Sequence, residues 1–539
     1  MLAPANDEVE GVEAGEEKQV TQPVERKNPQ IVDIDFDGLE ERLEILPVLP
    51  AKYRNLAVAN GKIIYMKYAT LDMTGGTGSI KYYDLEKREE KTIIDDVNYF
   101  VMSANQQKML VAKNNTYAVL LPEERQTFSK PLPIMDMKMY INPTQEWKQM
   151  FMDAWRFERD YFYDSSMHGV NWELNKTRYL KMLEGALSHE EADFIIGEMI
   201  GELNASHSYR WKGEMEQGPI QPVGYLGIDW QADGDYYKIK KILRGAAWDA
   251  EERSPFNKPG IPVKAGDYVL AVNNVPLTTA SEPYIAFQGL AGKAVEIVYN
   301  TTPSFTGAKT VIVKTMADEY RLRNLAWIES MRKRVDEATG GEVGYIYVPN
   351  TGADGKRELI RQLYAQWHKK ALIIDERFNN GGNIPDLFIE MLNRDPLSSW
   401  AIRDGKAWAW PPFANFGPKV MLINGWSGSG GDVFPDYFRK KGLGPLIGTR
   451  TYGALIGIPG TPELVDGSTV TAPAFRMYNP DGTWAKDGYG IEPDIYVPED
   501  LSAMVKGIDP QLERAIVEIK SLLKTKGYNP PPVPASEKR

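Results

Sequence analysis

Between about residues 30 and 140 apolar and polar positions alternate in short runs, KIIYMKY (62–68), SIKYYDL (79–85) and TYAVLLP (116–122), broken by DMTGGTG and KNN turns. A period of two bounded by turn residues predicts antiparallel strands. Their spacing suits one or two propeller blades or a small sheet, and falls short of the roughly four blades that close a propeller. At Asn142-Pro143 the period lengthens, and aromatic and apolar residues recur at helical intervals through EWKQMFMDAWRFERDYFY. The segment 190–203 places Ala192, Ile195, Ile196, Met199 and Leu203 on one helical face, opened by the capping box Ser188-x-x-Glu191. Residues 141–215 therefore read as a helical bundle, in which His189 is a helix-start residue.

From 216 to 316 the chain is strand-rich, GYLGIDWQ, YYKIKKIL, GDYVLAVNNVPL and KAVEIVYN, with a short helix at ASEPYIAFQGLAG. This order resembles a PDZ-like β-barrel insert. Tyr225, Leu226 and Gly227, after Gly224, stand where that family has its carboxylate-binding loop, and such grooves take an extended peptide as an added strand. Residues 317–527 alternate continuous apolar strands (VGYIYVP, ALIIDERF, KVMLING) with helices, the pattern of an α/β sandwich buried on both faces. The expected fold is thus multidomain, α+β and α/β. Propeller-like strands at 29–140 precede the bundle, an acidic segment at 1–28 is expected to be disordered, and a Pro-rich tail at 528–539 to be flexible.

Composition narrows the chemistry. Of 539 residues, 63 are Lys or Arg and 74 Asp or Glu, a net charge of −11 that disfavours nucleic acid and anionic membrane as partners. No run of about 18 apolar residues predicts a membrane span. The absence of cysteine removes disulfides, thiolate metal sites and a cysteine nucleophile, and four scattered histidines, with no H-x-x-x-H pair, predict neither metal nor other cofactor.

Of those histidines, His168 lies in a polar turn and His368 at a helix end, whereas His207 sits in the small polar loop Asn204-Ala205-Ser206-His207-Ser208 after an amphipathic helix. Such a loop holds an imidazole while leaving one nitrogen free. In KVMLINGWSGSGGDVFPDYF a buried strand (419–424) runs into a Gly and Ser turn and then a helix. A serine there is presented beside the amides of a helix start, as an attacking hydroxyl and its oxyanion require, with Ser429 first and Ser427 second. A second Gly-rich turn, Asp375-Glu376-Arg377-Phe378-Asn379-Asn380-Gly381-Gly382, also follows a strand; Gly381 or Gly382 supplies an oxyanion donor beside the amide of Gly430. Asp487, before Gly488-Tyr489-Gly490-Ile491-Glu492-Pro493-Asp494, is available to orient a base.

In that order these motifs resemble the tricorn protease family and, more distantly, the C-terminal processing peptidases. The resemblance runs from about 143 to 525. It implies a serine peptidase acting on oligopeptides through an acyl-enzyme, with Ser429 as nucleophile, His207 as base, Ser206 linking the histidine to an acid, and Asp487 as that acid. It also implies a homo-oligomer, hexameric, in the cytoplasm, or in the periplasm if a signal peptide precedes the sequence. This chain has Asp487 where the tricorn branch has Glu and Gly430 where it has Asp, and most of the expected propeller is absent, so it reads as part of a longer protein. The processing peptidases use a Ser–Lys pair, but no lysine occurs between Lys441 and Lys486, which leaves histidine as the base. Two other readings are an inactive peptide-binding scaffold built on the PDZ-like groove and, from the 13 Trp and 28 Tyr, a glycoside hydrolase, against which stands the lack of a distinct carboxylate pair.

Overall fold

The structure, a computed structural model, describes residues 35–68, 76–134, 137–211, 213, 218–485 and 487–537, so the acidic segment 1–28 lies outside the described residues. Two compact units divide at Ile141 and Asn142. The first holds two antiparallel sheets: a four-stranded meander of β1 (Lys52–Ala59), β2 (Lys62–Tyr68), β3 (Gly78–Asp84) and β4 (Glu89–Val97), and a three-stranded one of β5 (Tyr99–Met102), β6 (Met109–Lys113) and β7 (Thr116–Leu120). The alternation read in the sequence is the physical cause, because Ile64, Met66, Ile80, Tyr82 and Val111 all point into one shared core.

The second unit opens with a helical bundle, α1 (Pro143–Tyr161), α2 (Trp172–Leu183) and α3 (His189–Gly201). Each start carries a side-chain cap, from Asn142 to the Gln145 amide, Asn171 to Leu174 and Ser188 to Glu191. The capping box closes one residue early, since Glu191 Oε2 accepts from the Leu187 amide at 2.7 Å. Trp155 and Trp172 stack, each indole donating to the other's carbonyl at 3.0 and 3.1 Å.

After β8 (Arg210–Trp211) the PDZ-like insert comprises β9 (Ile228–Asp233), β10 (Tyr236–Ile242), β11 (Tyr268–Val272), β12 (Val275–Pro276), β13 (Ala294–Asn300) and β14 (Lys309–Lys314). Its sheet runs β14-β13-β11-β10-β9 with β12 beside β11, which leaves β9 on an edge. The α/β domain then follows with α4 (Tyr320–Thr339), β15 (Val343–Tyr347), α5 (Ala353–Gln366), β16 (Ala371–Asp375), α6 (Pro385–Leu392), the hairpin β17 (Ser398–Trp400) and β18 (Trp408–Trp410), β19 (Lys419–Ile423), α7 (Gly430–Lys440) and β20 (Leu446–Gly448). The short strands β21 (Ile456–Gly457), β22 (Thr469–Val470), β23 (Phe475–Arg476) and β24 (Ile495–Tyr496) lead to α8 (Leu501–Val505) and α9 (Pro510–Lys526). The central sheet is parallel, in the order β15-β16-β19-β20-β24. Every residue of β15, β16 and β19 is buried, and successive residues face opposite layers. Tyr345, Ile373 and Leu422 meet α4 and α9, while Ile346, Ile374 and Met421 meet α5, α6 and α7.

In α1 the carboxyl of Glu158 is fully buried with no hydrogen-bond partner among the described residues, and burial pushes its pKa from 4.5 up to about 8. A carboxyl that holds its proton more tightly when folded favours the native state at low pH and loses that advantage as pH rises. Global stability from the bundle is therefore expected to fall between about pH 4.5 and about pH 8, and Glu158→Gln to flatten that slope, checked by denaturant melts across the range.

Candidate functional site

Both Gly-rich turns leave the carboxyl ends of adjacent parallel strands, β16 and β19, where ligands collect in open α/β sheets. The first turn is pinned by charge. Arg377, 1% exposed, grips Asp375 through Nε and Nη2 (2.9 and 2.6 Å), and its Nη1 reaches Asp509 and Gln511 at the start of α9, both at 3.1 Å. Tyr345 adds its hydroxyl to Asp375 at 2.8 Å. Asn379 then accepts the Gly381 amide on Oδ1 at 2.9 Å and, through its carbonyl, the Gly428 amide of the second turn at 3.1 Å.

These bonds press the two turns together. A Cβ on Gly381 would lie 2.9 Å from the Ser429 Cβ, and one on Gly430 would lie 2.1 Å from Thr351 Oγ1 and 2.2 Å from the Gly382 carbonyl. Ser429 caps α7 with no side-chain bond to the helix, at φ 59° and ψ −118°, a conformation that costs a non-glycine residue energy and leaves its hydroxyl uncommitted. Ser427, by contrast, is fully buried and donates to the Glu376 carbonyl at 2.8 Å, so it is spoken for. Of the three glycine amides, that of Gly381 is taken by Asn379, whereas those of Gly382 and Gly430 make no hydrogen bond among the described residues.

Ser206 and Asp487, 281 positions apart, are in direct contact: the serine hydroxyl donates to Oδ1 at 2.6 Å and its amide to Oδ2 at 3.0 Å. The loop 451–455 serves this pair and the Ser429 turn alike. Asp432, in the first turn of α7, accepts the Thr451 hydroxyl and the amides of Gly453 and Ala454 at 2.5, 2.8 and 2.9 Å. The next amide, Leu455, donates to Asp487 Oδ1 at 2.8 Å. Burial still pushes the Asp432 carboxyl above its usual range. It does so more strongly for the neighbouring Glu376, whose carboxyl is fully buried and lies close to the carboxylates of Asp432 and Asp375.

His207 stands next to this pair in a left-handed conformation, φ 59°, its carbonyl held by Thr471 Oγ1 at 2.6 Å and its ring 5.8 Å from that of Tyr209. The imidazole Nδ1 is buried with no hydrogen-bond partner among the described residues, and no hydrogen bond joins it to Ser206. The other histidines are engaged. His168 bridges the Tyr163 hydroxyl and the Leu203 carbonyl at 2.5 and 2.7 Å, and His189 Nε2 contacts Asp466 at 3.0 Å. His368 follows α5, with its ring edge-on to Trp367. Lys419 is buried, its pKa lowered to about 8 by burial, but it begins β19, roughly 13 Å of strand from the end that carries Ser429.

Along the stripe of α7 that starts at Ser429, Val433, Asp436 and Lys440 follow at helical spacing and line a cavity of about 430 Å³ with Leu455, Met477 and Trp484. In the PDZ-like loop the Tyr225 amide pairs with the Met316 carbonyl at 2.9 Å, the Leu226 carbonyl accepts the Ser254 hydroxyl at 2.6 Å, and the Gly227 amide donates to Glu319 at 3.1 Å. No group of three or more His, Cys, Asp or Glu arranged to hold a metal occurs among the described residues. Nor is any helix among them long and apolar enough to cross a membrane.

Three family profiles match the chain: the tricorn protease C1 domain at 143–201, the tricorn protease PDZ domain at 224–318 and peptidase family S41 at 342–497. The chain is 30% identical to tricorn protease homolog 1 of Streptomyces coelicolor over 522 residues, 93% of this chain and 48% of that protein. It is 28% identical to the tricorn protease of Thermoplasma volcanium over 499 residues, 90% of this chain and 48% of that one. Its fold superposes on a crystal structure of the tricorn protease with a TM-score of 0.78 at 26% identity, over 88% of this chain and 47% of the other. The chain carries tricorn protease domains. It spans about half the length of these relatives.

Ser429, Asp487 and the glycines of both turns thus lie in an S41 peptidase domain, while Ser206 and His207 fall between the tricorn C1 and PDZ matches. Sequence reasoning did not find Asp432, Asn379 or the buried grip of Arg377. Their only signal is position, three residues after the serine and at the strand end before the glycines. Because a methyl group at position 430 would overlap Thr351 and Gly382, Gly430→Ala is expected to destabilise the fold by about 1–3 kcal/mol. Gly428→Ala, whose nearest neighbour would stand 3.4 Å away, should be tolerated, and denaturant midpoints of the two variants make the comparison.

Proposed function

We propose that the chain is a serine peptidase that hydrolyses oligopeptides through an acyl-enzyme, with Ser429 as nucleophile and His207 as the base that takes its proton and returns it to the leaving amine. The observation that carries this reading is the strained, uncapped Ser429 at the start of α7, packed against Gly381 with the Gly382 and Gly430 amides unoccupied nearby. Those two amides are the donors that suit an oxyanion, with Gly381 acting as the close-packing residue between them. The Asp487–Ser206 pair is read as the acid end of a relay whose last link, from Ser206 to the imidazole, closes when substrate is bound; hydrogen bonds of this kind are often unmade in the free enzyme. The shorter side chain of Asp487, compared with the glutamate of the tricorn branch, is compensated by the amides of Ser206 and Leu455, which hold it against the hydroxyl.

The cavity beside α7 fits a substrate side chain next to the scissile bond, its walls mainly apolar with Asp436 and Lys440 paired one turn apart along its α7 wall. The two antiparallel sheets of residues 52–120 are read as propeller-like blades, and a homo-oligomer, hexameric as the family resemblance implies, as the assembled form. The tricorn relatives favour an active peptidase over an inactive peptide-binding scaffold.

A fluorophosphonate should label wild type at Ser429 alone, located by peptide mapping, and Ser429→Ala should abolish both labelling and peptide hydrolysis while leaving the melting profile intact. Labelling at Ser427, or full activity in the variant, rejects the assignment. His207→Ala is expected to lower turnover by about 10³–10⁴-fold.

A further inference from the structure

We propose that the PDZ-like loop is a carboxylate-binding site already filled from within the chain by Glu319, so that the insert is latched to the α/β domain and closed to the carboxyl ends of peptides. Loops of this class capture a terminal carboxylate on backbone amides at the start of an open strand edge, and the peptide continues along that edge. Here the open edge is β9, which pairs only with β10 among the described strands. At its start the Gly227 amide donates to Glu319 Oε2 at 3.1 Å. The carboxylate is 10% exposed and is itself held by Arg323 Nε through Oε1 at 2.7 Å. The same guanidinium donates to the Ile228 carbonyl at 2.9 Å and to Asp229 at 2.8 Å. One anion and one cation from a single helix therefore cap the donor and the acceptor that an incoming peptide end would use first.

The arrangement is built into α4. Glu319, Leu322 and Arg323 fall on one face at the start of that helix, and Leu322 packs so closely that a Cβ on Gly227 would lie 2.7 Å from its Cδ2. Gly227 has φ +63°, so the loop is shaped for a glycine against which the helix can press. Tyr284 closes the other wall, its ring 5.5 Å from that of Tyr225. Two residues back along the loop, the Tyr225 amide is taken by the Met316 carbonyl, while the Leu226 amide between them makes no hydrogen bond among the described residues. The inference is independent of the peptidase reading, since none of these groups belongs to the reaction.

The test uses the full chain with Ser429→Ala, which removes hydrolysis, and a fluorescent pentapeptide supplied with either a free carboxylate or a carboxamide end. With Glu319 intact the two forms should bind alike by anisotropy, and hydrogen exchange should find the Gly227 amide protected. In Glu319→Ala the carboxylate form should bind about tenfold or more tighter than the carboxamide, and protection at Gly227 should fall. Glu319→Gln, whose amide oxygen still accepts from Gly227, should stay closed and serves as the folding control. Selective binding of the carboxylate form with Glu319 present, or unchanged selectivity and protection in Glu319→Ala, overturns the proposal.

Discussion

The site depends on one buried carboxylate. Asp432 has no ion-pair partner among the described residues, and its oxygens are satisfied by a hydroxyl and two amides of the 451–455 loop. Lying three residues after Ser429, it ties the helix that follows that serine to a loop whose next amide grips Asp487, and Asp487 in turn holds the segment carrying Ser206 and His207. Burial disfavours the ion, so the three hydrogen bonds offset a cost of several kcal/mol and hold only when the geometry is kept. A polar bracket of that kind is stiffer than an apolar contact because it tolerates little displacement before a buried donor is orphaned.

Around the bracket the backbone stores strain where the chemistry is expected. His207, Phe378 and Ser429 are all non-glycine residues with positive φ, one in each segment that converges on the site. They persist because their surroundings are over-determined: Thr471 holds the His207 carbonyl, Asn424 accepts the Phe378 amide, and Gly381 packs directly against the Ser429 side chain. The D-x-R-x-N-x-G-G pattern then separates into two tasks. Asp375, Arg377 and Asn379 are buried scaffolding, and the glycines supply close approach.

Much of the fold was legible because burial imposes periods that composition displays. KIIYMKY is β2 to the residue, and the uninterrupted apolar runs became strands buried on both faces. The serine turn was legible for the same reason, as a strand ending in glycines before an amphipathic helix. What could not be read is whatever depends on distant segments meeting. Ser206 and Asp487 were matched through a resemblance; nothing in either local pattern says that 281 positions close to 2.6 Å. The choice between Gly381 and Gly382 as a free donor turned on the Asn379 side chain, which periodicity does not report. The loop 225–227 showed its shape but not its occupant, because Glu319 lies 92 positions further on and reads there as an ordinary residue before a helix.

The helix that brings Glu319 also bears on the first Gly-rich turn. Trp327, two turns into α4, stands edge-on to Tyr347 at 5.1 Å and to Phe378 at 6.5 Å, with the Arg377 guanidinium 6.0 Å from its ring. One rigid element therefore touches the PDZ-like loop at its first turn and, at its middle, the segment that leads through Asn379 to Gly381. Helices translate and rotate as bodies, because shifting one turn alone breaks backbone bonds. Glu319 thus ties the insert to the first turn of the helix whose Trp327 rests edge-on against Phe378. Removing that carboxylate takes away one tie at the start of the helix, where Arg323 and Leu322 still bear on the insert, and leaves the buried Arg377 bridge in place, so the first Gly-rich turn is held by charge inside the α/β domain.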